Sequence, residues 1–189
     1  AHDYGIPVHL DGARIFNASV GSGVEVSTYA ACADTVMFCL SKGLGAPAGS
    51  ILAGPEETIA EARRLRKLLG GGLRQAGILA ACGIHALKHN VDRLDEDHRH
   101  ARELARKLQG LDLAGLRVSS PDTNMVFLEW EGEEPGRYAE FSDLLRSDGL
   151  LVVGLSGRGI RIVFHKDADE TASRRAGEIL QARLTELFS

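Results

Sequence analysis

Phe38-Cys39-Leu40-Ser41-Lys42-Gly43-Leu44-Gly45-Ala46-Pro47-Ala48-Gly49-Ser50 is the stretch on which the fold turns. An apolar, β-leaning run from Asp34 to Leu40 reads as a buried strand leading into Lys42. Gly, Pro and small residues follow the lysine, and Gly, lacking a Cβ, lets backbone crowd around a flat ligand. Partial desolvation of an amine in such a loop makes it a nucleophile toward carbonyl groups. Taken alone, Ser41-Lys42-Gly43 also fits a surface lysine in a turn.

A second stretch, Val8-His9-Leu10-Asp11-Gly12-Ala13-Arg14, reads as a short buried strand over 7–11 that ends in an acid, a glycine and a base. Asp11 precedes Lys42 by 31 residues, which leaves room for one crossover between neighbouring strand ends. Enzymes that use pyridoxal 5′-phosphate (PLP) need a lysine to hold the cofactor and a carboxylate against its ring nitrogen. Asp11 and Lys42 supply that pair in that order. His9 is expected to alternate away from Asp11 and to pack beside the site rather than act in it.

His9–Ala18, Leu40–Ser50 and the run Arg66-Lys67-Leu68-Leu69-Gly70-Gly71-Gly72-Leu73-Arg74-Gln75-Ala76-Gly77 closely resemble low-specificity L-threonine aldolases. Ile160–Asp167 is similar to that family's arginine-bearing strand, although Phe164 stands where Thr is usual. The four blocks come in the family's order, and the chain matches only the last half or slightly more of it. The resemblance implies an α/β fold: the C-terminal part of a PLP-dependent fold-type I large domain, a mainly parallel sheet with helices, followed by a small α+β domain. Residues 1–90 are assigned to the first and 91–189 to the second, with a portion expected before Ala1.

The resemblance also implies roles. Lys42 would hold PLP covalently, Asp11 would meet its ring nitrogen, and Arg14 and Arg161 would grip the substrate carboxylate. The implied activity is cleavage of a threonine-like β-hydroxy-α-amino acid to glycine and an aldehyde, in a cytoplasmic homodimer or homotetramer with shared sites. The general base and the group stacked on the ring belong to the family's N-terminal part. Another fold-type I enzyme, a β-eliminating lyase or an aminotransferase, fits the same residues, and so does a truncated non-catalytic module.

Residue-level readings qualify these roles. Arg14 also fits a surface ion pair. Arg161 also fits a structural arginine, but alternation places it with Val163 opposite Ile160 and Ile162, which suits a cation aimed at a cleft. An arginine fork matches a carboxylate through two parallel hydrogen bonds. Lys67 and Arg74 flank the triple glycine. Each reads either as a helix-end cation set against the dipole or, by resemblance, as part of a phosphate or substrate pocket completed across a dimer interface.

Composition narrows the classes. With 189 residues, 44% hydrophobic, 25% charged and net charge −4, the chain gives no reason to expect a nucleic-acid or membrane partner. Cys32, Cys39 and Cys82 are odd in number without a CxxC spacing, so buried reduced thiols are expected. His85 and His89 stand four apart, and His98 and His100 are placed on a polar helix side; with no third ligand evident, no metal site is assigned. Gly154–Gly159 precedes a strand rather than opening a helix, so it reads as a connecting loop, not a nucleotide fingerprint.

The remaining elements follow from periodicity and breakers. Helices are expected near 25–31 and over 56–69, the latter started by Pro55. A short edge or antiparallel strand is expected over 50–53. One long helix, bent near 89–92, is expected from Arg74 to about Leu108. Strands at 115–119, 124–130, 150–153 and 160–164, a helix over 137–148 and a last helix capped by Asp167 or Asp169 complete the reading.

Overall fold

The computed structural model describes residues 1–130, 137–155 and 159–188. Two compact units divide the chain, Ala1–Leu94 and Asp95–Ser189. The first unit opens with a 3-10 turn over His2–Tyr4 and then runs β1 (His9–Asp11), α1 (Ile15–Ser22), α2 (Val26–Ala30), β2 (Thr35–Cys39), β3 (Ser50–Ala53), α3 (Glu56–Leu68) and α4 (Gly77–His89). β2 is the centre of a three-stranded sheet in the order β1-β2-β3. Its pairing with β1 is parallel, with Asp11 opposite Met37, and its pairing with β3 is antiparallel. Parallel neighbours need a crossover, which here holds α1 and α2.

Leu40, Leu44, Ala46, Ala86 and Leu94 form this unit's buried cluster, with Phe16, Phe38, Cys82 and Val91 packed around it. The Lys42 loop is therefore anchored at three apolar points around the lysine. Gly83 on α4 makes the approach possible, since a Cβ there would lie 2.9 Å from Leu40 Cδ1.

The second unit runs α5 (Leu94–Gln109, its first residue belonging to the first unit), β4 (Leu116–Val118), β5 (Met125–Trp130), α6 (Arg137–Ser147), β6 (Val153–Leu155), β7 (Gly159–Val163) and α7 (Glu170–Phe188). Its sheet is antiparallel throughout, in the order β4-β5-β7-β6. One sheet face is apolar by alternation: Val126, Leu128, Trp130, Ile160 and Ile162. It packs against Ala101, Leu104 and Leu108 of α5, Phe141 and Leu145 of α6, and Leu180 and Leu184 of α7. The opposite face carries Phe127 and Arg161, register partners on β5 and β7.

Several expectations need correction. α4 and α5 are separate helices, because Asn90 ends α4 and its Nδ2 donates to the Leu44 carbonyl at 2.7 Å. The strand expected over 150–153 begins only at Val153. Gly149 (φ 85°) and Leu150 close α6 instead, with their amides donating to Arg146 and Leu145 carbonyls, a Schellman end. Gly154 and Leu155 are strand rather than loop, while Ser156-Gly157-Arg158 lie outside the described residues. Pro55 is the N-cap of α3 rather than its first residue.

Side-chain environments also differ from expectation. His9 does not alternate away from Asp11: residues two apart share a strand face, and both are exposed, His9 Nδ1 lying 2.8 Å from Thr35 Oγ1. Cys32 is exposed and Cys39 and Cys82 are half-buried free thiols. His98 and His100 are buried, not on a polar side, because they fall on the stripe of α5 that carries Leu94, Ala101 and Leu104.

Asp148, just past α6, is held by both arms of Arg183 from α7, at 2.7 Å from Nε and 3.0 Å from Nη2. The hydrogen bonds from Arg183 hold its carboxyl below the ordinary carboxylate range. A depressed carboxylate stabilises the folded state above its unfolded pKa, and that contribution is lost as pH falls through the folded one. Asp148→Asn is thus expected to lower the melting temperature at pH 7, with the gap to wild type closing below about pH 4. Paired thermal melts across that range check it.

Candidate active site

Asp11 ends β1, and Lys42 follows β2 by three residues, so both stand at the carboxyl edge of the parallel pair. In open α/β sheets that edge is where ligands bind. The loop after β1 is tied to β2 by two backbone bonds: Gly12 N donates to the Met37 carbonyl (2.8 Å), and Cys39 N to the Ala13 carbonyl (3.4 Å). Asp11 Oδ1 accepts from Ala13 N at 3.1 Å, which orients the carboxylate at the turn. Arg14 caps α1 and is half-buried; its carbonyl accepts from Ala18 N at 3.1 Å, and its side chain has no hydrogen bond or ion pair among the described residues.

Gly12 is required by close approach: a Cβ there would lie 2.9 Å from the Met37 carbonyl oxygen, a backbone atom of the central strand. Gly12→Ala is expected to cost about 1–3 kcal/mol through a forced backbone shift. Urea unfolding midpoints check it.

The Lys42 loop is a tight turn. The Lys42 carbonyl accepts from Gly45 N at 2.8 Å, and Leu40 accepts from Ala46 N and donates to the Gly49 carbonyl, each at 2.9 Å. Gly43 is buried, and a Cβ on it would meet Leu94 Cδ2 at 2.9 Å and Asn17 Oδ1 at 3.1 Å. Sequence reasoning missed Asn17 and Asn90, the buried amide beside this turn and the amide bonded to Leu44. An asparagine amid apolar neighbours, as at Asn17 after Ile15-Phe16, is the only signal that pointed there. The Lys42 side chain itself is exposed in this chain, not desolvated.

Lys67 lies in the last turn of α3, where its charge complements the helix dipole. Gly70 and Gly71 close that helix by donating to the Lys67 and Arg66 carbonyls. Arg74, in the turn before α4, is exposed, and neither cation has an ion pair among the described residues. Arg161 belongs to the second unit, half-buried on β7. Its Nε is buried without a hydrogen-bond partner among the described residues. A buried N–H left unpaired costs about 1–3 kcal/mol, so the site calls for an acceptor.

The β-eliminating lyase family profile matches residues 1–131. The chain belongs to that family. It is 44% identical over 162 residues to the low specificity L-threonine aldolase of Escherichia coli K12, covering 86% of this chain and 46% of that protein. It is 40% identical over 165 residues to low-specificity L-threonine aldolase 1 of Arabidopsis thaliana, covering 87% and 46%. The chain thus spans about half the length of the curated relatives it matches. Among solved structures, Leishmania major threonine aldolase superposes with TM-score 0.70 at 21% identity, over 96% of this chain and 53% of that one. Toxoplasma gondii ornithine aminotransferase superposes with TM-score 0.68 at 13% identity, over 98% and 45%. Those two likenesses identify the aminotransferase-like fold. The family is PLP-dependent in general.

One feature fits PLP: the donor set at the sheet edge is an amine and a carboxylate at or just beyond adjacent strand ends.

Proposed function

We propose that the complete protein cleaves threonine-like β-hydroxy-α-amino acids to glycine and an aldehyde, with PLP as cofactor. The observation that carries this reading is the placement of Asp11, Arg14 and Lys42 together at the carboxyl edge of β1 and β2. PLP, when bound, supplies an electron sink for the pair released when a bond to the amino-acid Cα breaks. Lys42 is the residue that would hold it covalently. Asp11 would keep a proton on the ring nitrogen by offering it a carboxylate. Arg14 and Arg161 would hold the substrate carboxylate, and the buried Nε of Arg161, which has no hydrogen-bond partner among the described residues, supports that role. Arg74 would contribute to the cofactor phosphate and Lys67 to the substrate end, in a homo-oligomer that shares its sites.

Product analysis tests the reading. Incubation of the PLP-loaded protein with L-threonine is expected to yield glycine and acetaldehyde in equal amounts. The family's β-eliminating members favour a second reading; a keto acid with released ammonia would establish it instead, and a transferred amine would indicate an aminotransferase.

Arg161→Lys separates geometry from charge, because lysine keeps the cation and loses the fork. The expected result is a KM raised about 10–100-fold with PLP affinity little changed. Steady-state kinetics beside a PLP titration check it.

A further inference from the structure

His85 and His89 lie one helical turn apart on the same face of α4. Both are exposed, and their ring centroids are 4.6 Å apart with planes tilted by 40°. Neither ring has a hydrogen bond or ion pair among the described residues. An imidazole-bound Zn²⁺ sits about 2.0–2.1 Å from the ring nitrogen, hence about 3.2 Å from the ring centre along the lone-pair axis. Two imidazoles meeting one ion at about 90–109° therefore have centres about 4.5–5.2 Å apart. The observed separation of 4.6 Å falls inside that interval, so the spacing of the two rings permits a shared ion.

We propose that His85 and His89 form a surface chelate for one divalent late transition-metal ion. Two neutral imidazoles without a carboxylate select the Ni²⁺, Cu²⁺ and Zn²⁺ class over Mg²⁺ and Ca²⁺. A third protein ligand is not required, because in open sites water completes the coordination. His89 is the last residue of α4, where the carbonyl end of the helix dipole favours a cation. Lys88 places a positive charge in the same turn and opposes it, which argues for a moderate rather than a tight site. The ion would clamp the last turn of α4.

The test is calorimetric titration of NiCl₂ into the tag-free protein, with MgCl₂ as the contrast. One Ni²⁺ per chain is expected, together with a higher melting temperature. Each of His85→Ala and His89→Ala should weaken binding about tenfold or more, while His2→Ala leaves it unchanged. Both variants alter exposed positions, and far-UV circular dichroism verifies that they fold. Nickel heat that survives both substitutions, equal binding of Mg²⁺, or no nickel heat at millimolar concentration overturns the proposal. Because PLP itself chelates metals, the difference between wild type and the histidine variants is the deciding quantity.

Discussion

Lys42→Ala in the full-length protein is expected to lower turnover of β-hydroxy amino acids about 10⁴-fold or more, the scale of losing an essential nucleophile. Folding should hardly respond. The lysine side chain is exposed, while the loop that carries it is fixed by backbone bonds donated by Gly45 and Ala46 and accepted by the Gly49 carbonyl, and by buried Leu40 and Leu44. A surface substitution of this kind changes stability by about 0.5 kcal/mol or less. Turnover assays paired with thermal melts read both quantities. A variant that retains a tenth of wild-type activity would remove Lys42 from the chemistry, and one that melts far below wild type would make the lysine structural.

Asp11→Asn is expected to lower turnover about 10²–10⁴-fold, the range of a group that manages a proton in the reaction. Asparagine keeps the shape and an oxygen able to accept from Ala13 N, so the turn after β1 should survive. What is lost is the negative charge at the sheet edge. Normal turnover with normal PLP binding would assign the ring nitrogen to a different carboxylate. Poor folding is the less expected result, since Asp11 is exposed and the β1–β2 register rests on backbone pairing.

The sheet edge was legible because its signals are local. An apolar run, a glycine turn and a charged residue at each strand end follow from short-range sterics, and Asp34–Leu40 and Gly12 were readable for that reason. Alternation likewise placed Arg161 opposite Ile160 and Ile162, as the burial of those two isoleucines bears out. Alternation misapplied gave the wrong face for His9, since a period of two returns it to the side of Asp11.

Features fixed by distant partners stayed hidden. Asn90 breaks the helical pattern where its side chain reaches the Leu44 carbonyl, 46 residues away in sequence. His98 looked polar yet lies on the buried stripe of α5, where burial, aided by the Arg102 cation, holds its imidazole below the ordinary range. Leu150 has strand-like neighbours but its amide is committed to closing α6. The exposure of Lys42 matches the surface-lysine reading of Ser41-Lys42-Gly43, whereas the expected desolvation is absent because what surrounds a loop tip depends on tertiary packing rather than on its own residues.

Borohydride reduction of the PLP-loaded protein, followed by peptide mass mapping, tests the placement of the cofactor most directly. A single reduced pyridoxyl adduct on Lys42 is expected, absent from Lys42→Ala. An adduct confined to another lysine, such as Lys67, or no adduct on any lysine, would contradict it.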